Sequence, residues 1–99
     1  SVPNKVLVAG GLGVVLKVYG KVFEHSCDRH DFGYRNLKLM ERRWGRGSTY
    51  WNSTTRRRVD QQFLADMKAH CRTRSILLQP GCFSWAETYY AAVRIAGGP

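Results

Sequence analysis

Two polar residues occupy positions where helical periodicity calls for apolar ones. His30 lies in a stripe with Phe23, Cys27, Tyr34 and Leu37, recurring at spacings of three and four. Asp60 lies with Leu64, Met67 and Cys71 at spacings of four, three and four. A carboxylate on a buried helix face is costly unless something pairs with it. The economical arrangement sets His30 against Asp60 across two antiparallel helices. Asp60 then accepts the proton of one imidazole nitrogen, and the other nitrogen is left to act as a general base. No obvious nucleophile accompanies the pair, which leaves water. The same spacing also suits a purely structural buried hydrogen bond, and spacing alone does not separate the two. Asp31 sits about 100° round from His30, at the edge of the stripe. A carboxylate there could bind a hard cation such as Ca2+, which takes carboxylate and carbonyl oxygens, although one carboxylate is not a site by itself.

The elements that must position these residues are helices. Val22 to Met40 reads as a first long helix, carrying His30 and Asp31. Gly45 to Thr55 reads as a loop, with Thr54 or Thr55 as N-cap for a second helix from Arg56 to His70. Ser75 to Cys82 reads as another loop, and Ser84 caps a third helix to about Ala96. Trp85, Tyr89, Ala92 and Ala96 form its inner stripe, and Gly97-Gly98-Pro99 ends it. Residues 1–20 are apolar and glycine-rich, either a buried helix or two short segments joined by a turn. Gly10-Gly11-Leu12-Gly13 is a weak candidate for an ion or phosphate loop and does not match a P-loop. No repeat or strong alternation occurs, so the expected class is mainly α.

The chain has 99 residues, enough for one domain with a modest core. Its 43% hydrophobic and 23% charged composition argues against disorder. The apolar run from Val6 to Leu16 is too short to span a bilayer, and no signal peptide is visible at Ser1. Sixteen Lys and Arg against seven Asp and Glu give a net charge of +9. Eleven of the basic residues fall between Arg35 and Arg74, opposed there by Glu41, Asp60 and Asp66 only. A field of that sign attracts phospholipid surfaces, nucleic acid or an acidic protein, or simply keeps the surface solvated. Cys71 and Cys82 enclose a turn-like stretch and could close a loop, which leaves Cys27 over. Three reduced, buried thiols are the other reading.

At the histidine the sequence becomes recognisable. Cys27-Asp28-Arg29-His30-Asp31-Phe32-Gly33-Tyr34-Arg35-Asn36 resembles the active-site helix of the secreted phospholipases A2 of bacterial and fungal type, whose motif is Cys-x-Arg-His-Asp-Phe-Gly-Tyr-Arg-Asn. All nine fixed positions match. Val59-Asp60-Gln61-Gln62-Phe63 with Asp66-Met67 resembles that family's second helix. Cys71, Cys82 and Trp85 with Tyr89-Tyr90, Ala92 and Val93 resemble its last disulfide and helix. The likeness covers about residues 24–95. It implies one small phospholipase A2-like domain over 1–99, with two antiparallel active-site helices and a C-terminal helix. It also implies a secreted, Ca2+-dependent hydrolase of the sn-2 ester of phospholipids. By the family pattern His30 activates water and Asp60 holds the working tautomer; Tyr34, one turn beyond His30, is placed to bond to the pair. Asp31 is then a calcium ligand, Cys71 pairs with Cys82, and the ion stabilises the oxyanion and holds the phosphate.

Two departures stand out. The family carries an upstream Asp-x-Cys segment that supplies calcium ligands and a partner for the cysteine at position 27. Here no Asp or Cys precedes Cys27, and Glu24 is the only acid in residues 1–26. The calcium-loop segment is thus absent from the sequence, and a partner for Cys27 is expected from an upstream segment or another chain. Trp44 to Thr55 also looks enlarged. Its Trp44, Tyr50 and Trp51 suit docking on an anionic lipid interface, or fold back on the core.

A phospholipase-like protein without catalysis is the main rival: a binding protein or toxin subunit docking on anionic membranes or an acidic partner. Arg56-Arg57-Arg58 with nearby aromatics could meet nucleic acid, but no nucleic-acid partner is expected. A zinc site from Cys27, His30, His70 and Cys71 lacks any Cys-x-x-Cys spacing. A phosphohydrolase using His25, His30-Asp31 and Asp60 fails because His25 and His30 point to different sides of a helix.

Overall fold

The computed structural model describes residues 19–96. The glycine-rich segment before Tyr19, with the Gly10–Gly13 loop, and the closing Gly97-Gly98-Pro99 lie outside the described residues. Among the described residues the structure is mainly α and holds no strand. Its long helices are α1 (Glu24–Trp44), α2 (Ser53–Arg72) and α3 (Gln79–Ala96). Residues 19–22 are also helical and lead through Phe23 into α1. No helix among the described residues is long and apolar enough to cross a membrane.

Each helix outruns its sequence expectation, for a local reason. The expected end of α1 at Met40 moves to Trp44. Glu24 in its first turn and Arg42 and Arg43 in its last complement the helix dipole. Glu41 in that extra turn accepts from the backbone N–H of Tyr50 (2.6 Å) and Trp51 (3.0 Å), drawing the loop back over the helix. The N-cap of α2 is Asn52 rather than Thr54 or Thr55. Thr55 is instead its reciprocal partner: Asn52 Oδ1 accepts from Thr55 N at 3.0 Å, and Thr55 Oγ1 accepts from Asn52 N at 3.2 Å. This capping box stabilises the helix start by about 1 kcal/mol. Ser84 caps nothing, because α3 already begins at Gln79. Pro80 sits in the first turn, where its missing N–H costs no hydrogen bond and its fixed φ suits a helix. Gln79 Nε2 donates to the carbonyls of Arg74 (3.0 Å) and Arg72 (3.4 Å), tying the new helix to the end of α2.

The central helix is α2, packed against both α1 and α3. Its pairings with α1 run from Arg29–Asp66 through His30–Asp60 to Lys38 and Arg56 about Trp51, so residue numbers rise on one helix as they fall on the other. Those with α3 run from Cys71–Cys82 through Lys68–Glu87 to Asp60–Arg94, likewise antiparallel. Gly33 makes the first contact close. A Cβ there would meet Val59 Cγ1 at 3.0 Å, so its bare Cα lets α1 lie against α2 beside the His30–Asp60 level.

The core lies between the helices away from the α1–α2 loop. Phe23, Cys27, Phe63, Met67, Cys71, Cys82, Ala86, Tyr89 and Val93 are buried together. Phe23 meets Tyr89 edge-on at 5.5 Å, and Tyr19 stacks on Trp85 at 5.4 Å. The expected α3 stripe is corrected in part: Tyr89 and Ala92 are buried, Trp85 is half-buried, and Ala96 is exposed. Cys82, Ala86 and Val93 complete the inner face. The disulfide joins Cys71 to Cys82, with Cα atoms 5.6 Å apart, and fastens the end of α2 to the first turn of α3.

Candidate active site

His30 and Asp60 meet across the α1–α2 interface. His30 is 5% exposed and Asp60 1%. His30 Nε2 lies 2.7 Å from Asp60 Oδ1, close enough for the imidazole N–H to donate to the carboxylate. Tyr34, one turn along α1, donates its hydroxyl to the same oxygen at 2.5 Å. Two rings pack against the imidazole, Tyr34 at 4.3 Å and Phe63 at 4.7 Å between centroids. Trp51 from the loop packs edge-on against Tyr34 at 5.2 Å, with Lys38 and Arg56 over its own ring. The aromatics expected in an enlarged loop thus divide: Tyr50 and Trp51 are half-buried, while Trp44 closes α1 and is 63% exposed.

One contact escaped the sequence reading. Arg94, near the end of α3, donates through Nη1 to Asp60 Oδ2 at 2.7 Å. The signal that could have found it is its isolation. Arg94 is the sole basic residue after Arg74, and it follows the buried pair Ala92-Val93.

The electrostatics favour an ionised Asp60. Burial works to raise its pKa, but hydrogen bonds from His30, Tyr34 and Arg94 outweigh it and hold the carboxyl below its ordinary 3.8. Burial and the hydrogen bond to Asp60 push the Tyr34 phenol well above its ordinary 10, so Tyr34 remains a donor. Burial pushes the Cys27 thiol up to about 11, which keeps it protonated in the core. Against this network, His30 Nδ1 stands apart: it is buried and has no hydrogen-bond partner among the described residues. A buried nitrogen without a partner costs about 1–3 kcal/mol, so an orphan of this kind calls for an explanation, and catalysis is one.

His30 lines a cleft of 430 Å³ with Phe32, Gly33, Val59, Gln62 and Phe63. Its wall is largely apolar. Phe32, 65% exposed, also lines a neighbouring groove of 350 Å³ along α1, with Arg35, Lys38, Leu39 and Arg42. A second apolar patch, Ile76-Leu77-Leu78, is exposed at the turn between α2 and α3.

Asp31 follows His30 on α1 and is half-buried. Ca2+ takes six to eight oxygens. Among the described residues no group of three or more His, Cys, Asp or Glu could hold a metal ion, so these residues alone do not make a calcium site. Cys71, one of the four residues weighed for a zinc site, is bonded to Cys82.

The sequence profile of the prokaryotic phospholipase A2 family matches residues 16–97. A secretory phospholipase A2 of Beauveria bassiana (strain ARSEF 2860) is 40% identical over 80 residues, covering 81% of this chain and 37% of the relative. A secretory phospholipase A2 of Arthroderma benhamiae (strain ATCC MYA-4681 / CBS 112371) is 36% identical over 84 residues, covering 82% of this chain and 51% of the relative. The chain therefore spans about a third to a half of the length of these curated relatives. No solved structure matches. With the profile covering most of its length, and the paired His30 and Asp60 on its two facing helices, the chain belongs to the prokaryotic phospholipase A2 family.

Proposed function

We propose that this chain carries the hydrolytic centre of a secreted, calcium-dependent phospholipase A2 that cleaves the sn-2 ester of phospholipids. The observation that carries the reading is the His30 ring: Nε2 is engaged by Asp60, Nδ1 has no partner among the described residues, and the residue lines a largely apolar cleft. A water at Nδ1 gives its proton to the imidazole as its oxygen attacks the ester carbonyl. Asp60 stabilises the imidazolium that forms. The proton then passes to the departing alkoxide as the carbon–oxygen bond breaks, leaving a fatty acid and a lysophospholipid. The apolar walls suit an acyl chain. Secretion is supported by the disulfide, which persists in oxidising compartments, and by the likeness to two secretory phospholipases A2.

Asp31 would hold calcium through its carboxylate beside the histidine, and the remaining oxygens, like a disulfide partner for Cys27, would come from outside the described residues. The proposed partner is an anionic phospholipid surface. Phe32 and the 38% exposed Leu39 present apolar area next to Arg35, Lys38 and Arg42, and Phe32 joins that strip to the cleft.

The test is fatty-acid release from phosphatidylglycerol vesicles, with and without Ca2+. His30→Gln should lower turnover by roughly 10²–10⁴-fold, the usual worth of a general base, with helical content unchanged. Full turnover in that variant, or in excess chelator, would overturn the mechanism. Vesicle binding by the natural chain with no ester cleavage would favour the reading of a non-catalytic binding protein or toxin subunit.

A further inference from the structure

The three donors on Asp60 are not equivalent. His30 and Tyr34 share Oδ1, and Arg94 alone holds Oδ2. A histidine that is to act as a base must be neutral, and the Tyr34 hydroxyl is neutral. Among the described residues Arg94 is then the one full positive charge bonded to a carboxylate that is 1% exposed. A carboxylate buried with no counter-charge takes a proton or turns away from its partners.

The geometry points to a role for Arg94 in the hydrolysis proposed above, and we propose that it is a positioning residue. By holding Oδ2 it keeps Asp60 ionised and turns Oδ1 toward His30. That fixes the imidazole in the tautomer with its proton on Nε2 and its Nδ1 bare. The pair differs from the Arg29–Asp66 and Lys68–Glu87 pairs. In Arg29–Asp66 the arginine is 58% exposed at 3.3 Å, and in Lys68–Glu87 the side chains are 35% and 55% exposed. Pairs in water contribute little. Arg94–Asp60 has one partner sealed in and a 2.7 Å bond. It also brings α3 into a site otherwise built by α1 and α2, so the third helix fixes the chemistry as well as the core.

Two measurements on Arg94→Met and Arg94→Lys test this. The first is the long-range proton–nitrogen spectrum of the His30 ring, which reports the tautomer without any substrate. The natural protein should show the Nε2–H form, Arg94→Met a mixture of tautomers, and Arg94→Lys a partial return, since lysine restores the charge but not the planar fork. The second is hydrolysis of a soluble short-chain phospholipid. For Arg94→Met, kcat should fall by about 10–100-fold, as for other supporting partners of a reactive histidine. KM should stay within about twofold, because Arg94 is not among the residues that line the cleft beside His30. An unchanged tautomer in Arg94→Met overturns the proposal, as does an unchanged kcat. If the natural protein cleaves no ester, the hydrolase reading fails, while the ring spectrum still decides the role of Arg94. If Arg94→Met unfolds by circular dichroism, the same two readouts on Arg94→Lys decide: a ring spectrum and kcat identical to the natural protein's overturn the proposal.

Discussion

At the residue scale, one carboxylate organises the site. Asp60 gathers a histidine, a tyrosine and an arginine from two other helices. Removing one partner of a buried, hydrogen-bonded charge costs about 3–5 kcal/mol, more than any surface contact in the molecule can contribute. The pH dependence follows from the sign of its shift. The folded-state pKa of Asp60 lies below its ordinary 3.8. Its stabilising contribution is therefore fully present above about pH 5 and is lost as pH falls below the ordinary value through the folded one. Urea unfolding should show the natural protein ahead of Asp60→Asn at neutral pH, with the gap narrowing as pH drops from about 5 to 2. A constant gap across that range would mean that the carboxylate is not held ionised by its neighbours. His30 and Asp60 were legible in the sequence because both break an apolar stripe. Arg94 was not, because an arginine at the edge of a helix stripe looks like any solvated cation until a neighbouring helix delivers a carboxylate to it.

At the element scale, the contact between α1 and α2 sets the distance between His30 and Asp60. Gly33 lies one turn from His30, and Val59 precedes Asp60, so this close approach of the two helices is next to the pair. Gly33→Val would drive a branched side chain into Val59 and should destabilise the fold by about 1–3 kcal/mol, read by thermal unfolding. Combining it with Val59→Ala should recover part of the loss, since the two residues share one space and their effects do not add. The other helix ends answer to smaller forces. Asn52→Ala should cost about 1 kcal/mol by loss of the α2 cap. The boundaries were the least legible part of the elements. Asn52 outcompetes Thr54 and Thr55 only because the loop, held by Glu41, presents it to Thr55 N. Pro80-Gly81 reads as loop until the disulfide and Gln79 place it in a first helical turn.

At the scale of the whole molecule, charge and crosslinking act together. The Cys71–Cys82 bridge closes an 11-residue separation, and its reduction should lower stability by about 2–4 kcal/mol, measured as a fall in Tm with added reductant. A net charge of +9 with exposed Phe32, Leu39 and Trp44 predicts strong binding to anionic vesicles and weak binding to zwitterionic ones. Reversing Arg35 and Arg42 to Glu should weaken vesicle binding and flatten its salt dependence while leaving cleavage of a soluble short-chain phospholipid near the natural rate. Equal loss on both substrates would tie those arginines to the site rather than to the surface.

The amino-acid sequence by itself determined the helical class, the family and the facing of His30 and Asp60, because these rest on local periodicity and on a contiguous motif from Cys27 to Asn36. Only the tertiary structure decided that Arg94 reaches Asp60, that Trp51 folds against Tyr34 while Trp44 stays outside, and that Nδ1 of His30 is the nitrogen left bare. Those outcomes depend on which helices lie side by side and on how closely, and spacing along one chain carries no measure of distance between two helices.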